Sequence, residues 1–462
     1  MNRFLGIYVD PVYVKVEGLG RVFDNVENAG ANGVCFSPWL AYPALGENGT
    51  RYPDLHVDGY RRVVARPVWG EVETTLDYFY SHRPVPAFFE NSPYHPPEKQ
   101  ARDPADYQIP HDMIAEAHRR GLEVNVEIHP LLPPGVRPED QIVYIDGKRP
   151  ELPQVAIGLC PNGPAARAYA DALVRDTLAQ YAGVDNLSLD WTEYGAYRLK
   201  DAFTCFCPHC QARAQAQGLD WACVQRDVTR LWEWFHSLTA EHLVRARRAW
   251  HSPSALLALL ARYPGCLDLL AFKASSIVAT YRRLRAVMDE SGGAEVGLIA
   301  RGWPPPWNRL SGMAYGELAH VCSAVAPKLF TFDYSALPAW YGREVMAWNP
   351  LLPESDVLDT LVDWMNLPDD IVHRSLSDYH IPAPDELHPA RMDAYVDRVA
   401  EVVDQVDGRT RVYPISHPYL PASQWREMVA LVRESRADGM WVNMYGYLSD
   451  EKLGILSEEW RD

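Results

Sequence analysis

Eight short apolar runs, separated by stretches that are mostly helical in character, constrain this 462-residue chain more than any other feature. They are FLGIYVD from Phe4, GVCFSPW from Gly33, LEVNVEIH from Leu122, NLSLDW from Asn186, EVGLIARG from Glu295, KLFTFDY from Lys328, RVYPISH from Arg411 and GMWVNMYG from Gly439. Strands that alternate with helices build parallel sheets, and eight such units close into a barrel. The expected fold class is therefore α/β, a (β/α)8 TIM barrel. In HDMIAEAHRRGLEVNVEIHP, Gly121 reads as a helix stop ahead of the third strand. Residues 1–462 are expected to form a single TIM-barrel catalytic domain. Long insertions follow strands two, four and six, at residues 41–110, 195–290 and 335–410. Each leaves the carboxyl end of a strand, the side on which barrel enzymes build their sites.

Composition narrows the function. Lys and Arg number 44 against 61 Asp and Glu, a net charge of −17 that disfavours a polyanionic partner, so no nucleic acid is expected. The chain has no run of about 18 apolar residues, so no membrane association is expected. MNRFLGIYVDPVYVKV enters a strand without the basic and apolar regions of a leader, which points to the cytoplasm. In a reducing compartment the eight cysteines read as thiols or metal ligands rather than disulfides. CFCPHC packs Cys205, Cys207 and Cys210 into six residues, and three soft ligands ask for zinc with a fourth in a tetrahedron. That fourth ligand is Cys160, in GLCPNGPAARAYADALV, or His209 within the cluster. A closed four-ligand site is structural, because it leaves no position for water. Among the 15 Trp, Trp303, Trp39 and Trp340 are candidates for stacking on sugar rings.

Side chains alternate faces along a strand, so one parity of each run faces the barrel interior. In strand three, Asn125, Glu127 and His129 oppose Val124, Val126 and Ile128; in strand four, Ser188 and Asp190 oppose Leu187 and Leu189. In strand six, Thr331 and Asp333 oppose Phe330 and Phe332. The same reading turns Tyr8 and Asp10 inward from strand one, Ile299 and Arg301 from strand five, His417 from strand seven, and Asn443 with Tyr445 from strand eight. Ionisable groups thus converge on one end of the barrel, which is unfavourable unless they pair or line a pocket mouth. For any single residue the alternative is an ion pair that closes the barrel, such as Arg301 with Asp333 or Asp190.

CPNGPAARAYADALVRDTLAQYAGVDNLSLDWTEYG followed by CFCPHC resembles the zinc-carrying β-galactosidases of glycoside hydrolase family forty-two, and related uncharacterised glycoside-hydrolase-like barrels. In that family a Cys-Pro-Asn segment opens the helix before strand four, strand four ends in Asn-Glu-Tyr-Gly, and a Cys-x-Cys-x-x-Cys group follows. The likeness covers residues 158–215, with weaker echoes at FTFDY and the last strand. It implies that Cys160, Cys205, Cys207 and Cys210 hold a structural zinc and that Glu193 is the general acid/base. Two positions depart from the pattern. Thr192 stands where the family has Asn, and RVYPISHPYL offers Ser416 and His417 where the family's nucleophilic Glu ends strand seven.

Glycoside hydrolysis uses one protonated carboxyl to release the leaving oxygen and one ionised carboxylate to attack or to activate water. The expected catalytic residues are Glu193, Asp190 and Asp333, with Asp190 or Asp333 as the second carboxylate. Asp10, Glu127, His129, Arg301, Trp303, His417 and Asn443 are expected to bind the substrate. The activity expected is that of a glycosidase acting on a carbohydrate, with retention or inversion and homo-oligomerisation left open. Two alternatives stand beside it: a sugar-binding barrel without turnover, and a lyase or isomerase in which His129 or His417 moves a proton beside a carboxylate.

Overall fold

A computed structural model describes residues 3–38, 81–96, 103–133, 135–150, 158–250, 252–366, 375–383, 386–389 and 391–460. Its centre is a closed parallel barrel. Strands β1 (Phe4–Tyr8), β2 (Gly33–Phe36), β3 (Glu123–Ile128), β4 (Asn186–Leu189), β5 (Gly297–Gly302) and β6 (Ala324–Leu329) pair in sequence order. The seventh position is divided between β7 (Arg411–Val412) and β8 (Ile415–Ser416), which both pair with β6. Between them Pro414 has no N–H to give to the ladder, although its carbonyl still accepts from Trp441 N–H at 2.9 Å. Strand β9 (Gly439–Val442) joins β8 to β1 and completes the ring. This is the expected TIM barrel.

Side-chain size closes the amino end of the barrel. Gly6 and Trp441 are register partners on β1 and β9, and a Cβ on Gly6 would fall 2.1 Å from the Trp441 ring. One strand thus gives up its side chain so that its neighbour's indole can fill the interior, with Phe4 against that ring at 4.9 Å. Outside the ring, the helix Ile109–Arg119 ends as predicted, with Gly121 at φ +74° sending the chain into β3. The buried apolar side chains form one continuous cluster and a small satellite around Leu358 and Leu376.

Strand six departs from the sequence reading. It begins at Ala324, four residues before Lys328, and FTFDY belongs to the helix Thr331–Trp348. Pro327 lies inside the strand, where proline is uncommon. The aromatic residues Phe330 and Phe332 fall outside it. Six residues from Ala324 already span the barrel, so the strand preference of Phe and Tyr gives way to tertiary context. Tyr445 is the second correction. It lies in the short helix Tyr445–Tyr447, and its hydroxyl donates to Glu17 and accepts from Asn25, both on the outer helical layer.

Between β4 and β5 the described residues are largely helical. Helices Pro208–Ala216, Trp221–Phe235, Ala240–Trp250 and Pro253–Arg262 precede Pro264–Glu290, which packs on Trp221–Phe235 and on Pro164–Gln180. Between β6 and β7 lie Thr331–Trp348, Glu354–Met365 and Met392–Val406. Most of the predicted excursion at 41–110, and Trp39, fall outside the described residues. Among the described residues no single helix is long and apolar enough to cross a membrane.

Candidate active site

Five strands deliver one charged or hydroxyl side chain each to the carboxyl end of the barrel interior. Tyr8 ends β1, Glu127 lies near the end of β3, Asp190 follows β4, Arg301 lies on β5 and Lys328 on β6. All five are buried. Register explains their meeting: Glu127 pairs with Ser188, Leu189 with Ala300 and Arg301 with Ala326, so these side chains lie in adjacent layers. Asp190 extends the ladder, its N–H donating to the Ile128 carbonyl at 3.0 Å.

Their charges compensate one another. Arg301 pairs with Glu127 and donates to the Tyr8 hydroxyl, which in turn donates to Glu127. The Arg301 guanidinium lies 3.9 Å from Asp190, and Lys328 Nζ lies 2.5 Å from Asp190 Oδ1. His129 Nε2 is 3.2 Å from Glu127 Oε1. A buried charge without a partner would destabilise the barrel by several kcal/mol, so this closed arrangement is what allows so many ionisable groups inside it (about 3–5 kcal/mol for breaking such a pair). Glu127, His129 and Asp190 bring ligand atoms within 4.8 Å of one another. Two cations already satisfy these carboxylates, so the cluster reads as an ion-pair network.

Glu193 is set apart by its environment. Trp191 turns the chain out of β4 in the left-handed region at φ +54°, its N–H donating to Asp190 Oδ1 at 2.8 Å, and the Thr192 hydroxyl donates to the Asp190 carbonyl. A bulky residue at positive φ is strained, and such strain concentrates at functional turns. The turn folds the Glu193 side chain inward until it is 3% exposed. Oε2 accepts from Trp303 N–H at 3.2 Å, while Oε1 has no hydrogen-bond partner among the described residues and lies 4.0 Å from Lys328 Nζ. Gly302 leaves the space, because a Cβ there would lie 2.9 Å from Oε2. Burial pushes the Glu193 carboxyl up to about 7, against the pull of Lys328, the Ser311 hydroxyl and Trp303 N–H, with nearby Asp190 adding to the rise. Such a group holds its proton near neutrality and can give it up, the requirement for a general acid.

The other predicted residues divide. Asp333 does not end a strand: it lies in the first turn of Thr331–Trp348, where its Oδ2 accepts from the Tyr197 hydroxyl at 3.4 Å. Trp303 is buried, its ring 4.8 Å from Tyr197, and Trp340 reaches the same tyrosine at 6.0 Å. Asp10, His417 and Asn443 follow β1, β8 and β9 at the carboxyl end of the barrel, all buried. His417 packs against Phe332 and Tyr447, and its Nδ1 accepts from Tyr419 N–H at 3.1 Å, which leaves the proton on Nε2. Sequence reasoning missed Lys328, because the strand was started at that residue and its parity was counted with the outward side. The available signal was a lysine inside AVAPKLF, an otherwise apolar run.

The cysteines form a second, separate centre. Cys160 Sγ lies 3.4 Å from Cys207 Sγ, 3.4 Å from Cys210 Sγ and 3.9 Å from Cys205 Sγ, all buried. A tetrahedral zinc with bonds of about 2.3 Å separates its sulfurs by about 3.8 Å, so the donor set fits that ion. Cys160, rather than His209, completes the group of four. N–H donors surround the sulfurs: Val143 on Cys205, Cys210 on Cys207, and the Asn162 amide on Cys210. The Asn162 amide also donates to the Tyr194 hydroxyl, and Tyr194 N–H donates to the Ser311 carbonyl. The cluster therefore braces the residue that follows Glu193.

No family model matches the chain, and no curated protein matches it. Solved structures share its fold. The β-galactosidase from the psychrophilic Marinomonas ef1 superposes with a TM-score of 0.51 at 12% identity, over 98% of this chain and 58% of that one. The catalytic domain of β-amylase from Paenibacillus polymyxa gives 0.50 at 11% identity, over 99% of this chain and 97% of that one. The chain thus spans little more than half of the β-galactosidase and nearly all of the β-amylase domain, and what it shares with both is the barrel.

Proposed function

We propose that this chain is a glycoside hydrolase in which Glu193 is the general acid/base and Asp190 the second carboxylate. The observation that carries the reading is the contrast between two neighbouring carboxyls: Glu193 desolvated and held up to about 7, Asp190 ion-paired with Lys328. Lys328 Nζ is 2.5 Å from one carboxylate and 4.0 Å from the other, so Asp190 Oδ1 and Glu193 Oε1 are at most about 6.5 Å apart. Retaining enzymes separate their carboxyls by about 5 Å, and inverting ones by about 6.5 to 9.5 Å to admit water. This oxygen–oxygen limit admits retention, the outcome the product anomer tests. Asp190 attacks the anomeric carbon as Glu193 gives its proton to the departing oxygen; water, deprotonated by Glu193, then releases the sugar from Asp190. The resemblance to the zinc-carrying family forty-two supports Glu193 as the acid/base, though not Asp190 as its partner, and implies Cys160, Cys205, Cys207 and Cys210 as the residues that would hold a structural zinc. Bound there, the ion would cross-link the loop after Glu193 to Cys160 and take no part in turnover.

The test is a panel of chromogenic glycosides with the wild type, Glu193→Gln, Asp190→Asn and Asp333→Asn, the anomer of the first product being read by proton NMR. Glu193→Gln and Asp190→Asn are expected to lose at least 100-fold in kcat, the usual contribution of acid–base catalysis (about 10²–10⁴), whereas Asp333→Asn keeps activity. Release that survives every substitution would refute the assignment. A second reading, a sugar-binding barrel without turnover, is favoured by His417 at the end of strand seven; sugar binding with no release by the wild type would support it.

A further inference from the structure

Lys328 enters the two-carboxylate scheme only as the partner of Asp190, which leaves its contact with Glu193 to be explained. A lysine on a barrel strand costs desolvation, and the strand would be apolar without it. Its side chain is 7% exposed and meets three groups at once: Asp190 Oδ1 at 2.5 Å, Glu193 Oε1 at 4.0 Å and the Trp191 ring at 4.4 Å. Those three contacts fall on the four consecutive residues Asp190 to Glu193, which carry the candidate chemistry. We propose that Lys328, seated between the two carboxyls, is the positioning residue that sets how firmly Glu193 holds its proton, an inference that rests on the glycosidase reading of this site.

The ammonium contacts Asp190 directly and stands 4.0 Å from Glu193, so Asp190 takes most of its field and Glu193 the remainder. The remaining groups around Glu193 do not divide the two acids in this way. Trp303 N–H, just past β5, and the Ser311 hydroxyl, from the helix Trp307–Ser311, are uncharged donors. Tyr281, from Pro264–Glu290, and Tyr315, from Tyr315–Leu318, also face Glu193, and burial pushes both phenols well above their ordinary value. Arg301 lies on the Asp190 side, already paired with Glu127. Lys328 is thus the cation shared by the two proposed acids. The Trp191 ring, presented by the strained left-handed turn, fixes the ammonium from a third direction.

The test reads the proton on Glu193 without requiring turnover. Carboxyl infrared difference spectra are recorded against pH for the full-length wild type, with the Glu193 band assigned by its loss in Glu193→Gln. Removing the cation in Lys328→Met is expected to raise the titration midpoint by a unit or more, a tenfold gain in proton affinity; Lys328→Arg is expected to bring it back toward the wild-type value. Asp190→Asn is expected to move it the opposite way, because the lysine then serves Glu193 alone. Opposite shifts cannot arise from general loosening. An unchanged midpoint in folded Lys328→Met would overturn the proposal; should that variant fail to fold, an unchanged or raised midpoint in Asp190→Asn would do so. If both shifts occur while the wild type cleaves no glycoside, the glycosidase reading fails and the role of Lys328 in setting the Glu193 proton stands.

Discussion

Glu193→Gln is expected to make the protein harder to unfold as the solution becomes more alkaline, although it removes the proposed acid. Burial raises the Glu193 carboxyl from 4.5 to about 7, and the unfolded chain has no such burial. Between those values the native state keeps a proton that the unfolded state has released. The unfolded state therefore binds fewer protons, and stability falls as pH rises from 4.5 through about 7, after which the loss is complete. With 1.36 kcal/mol per unit, the full loss is about 3 kcal/mol at pH 8 and under about 1 kcal/mol at pH 5. The side chain is 3% exposed, so solvent screening takes little from this figure. Gln has the same shape and no charge, its amide oxygen can accept from Trp303 N–H, and it carries none of the penalty. Urea unfolding followed by tryptophan fluorescence at about pH 5 and about pH 8 is expected to show the variant's advantage growing by about 2–3 kcal/mol. A difference that does not change with pH, or a wild type that is the more stable form at pH 8, would refute the buried, proton-holding carboxyl.

Two further outcomes follow from the same structure. Purified protein is expected to contain one zinc per chain by elemental analysis, with Cys160→Ser losing the ion and melting at lower temperature; zinc-free protein whose stability is indifferent to chelators would exclude the metal. Arg301→Met leaves Glu127 buried beside Tyr8 without its cation, and is expected to destabilise the fold by about 3–5 kcal/mol in urea unfolding. A loss below about 1 kcal/mol would show that the pair is solvated.

The fold was legible because it rests on local, repeating signals. Eight apolar runs with helices between them prescribe the barrel, and period-two alternation placed Tyr8, Glu127, Asp190 and Arg301 on one face without any coordinates. The cysteine spacing likewise marked Cys205, Cys207 and Cys210. Parity failed where the strand boundary was misread: at the start of β6, which lies before Lys328, and beyond Leu329, where Asp333 passed into a helix.

What the sequence determined by itself was therefore the architecture and which residue types face inward, since both depend on periodicity along a strand. What only the tertiary structure decided was partnership. Lys328 lies 138 positions after Asp190 in the chain, and Cys160 lies 45 before Cys205; strand register and the closing of the ring bring each pair together. The desolvation that raises Glu193 depends in the same way on Trp303, Ser311 and Gly302. Proton affinity and ligand geometry arise from through-space distance and burial, and neither is written in the local order of residues.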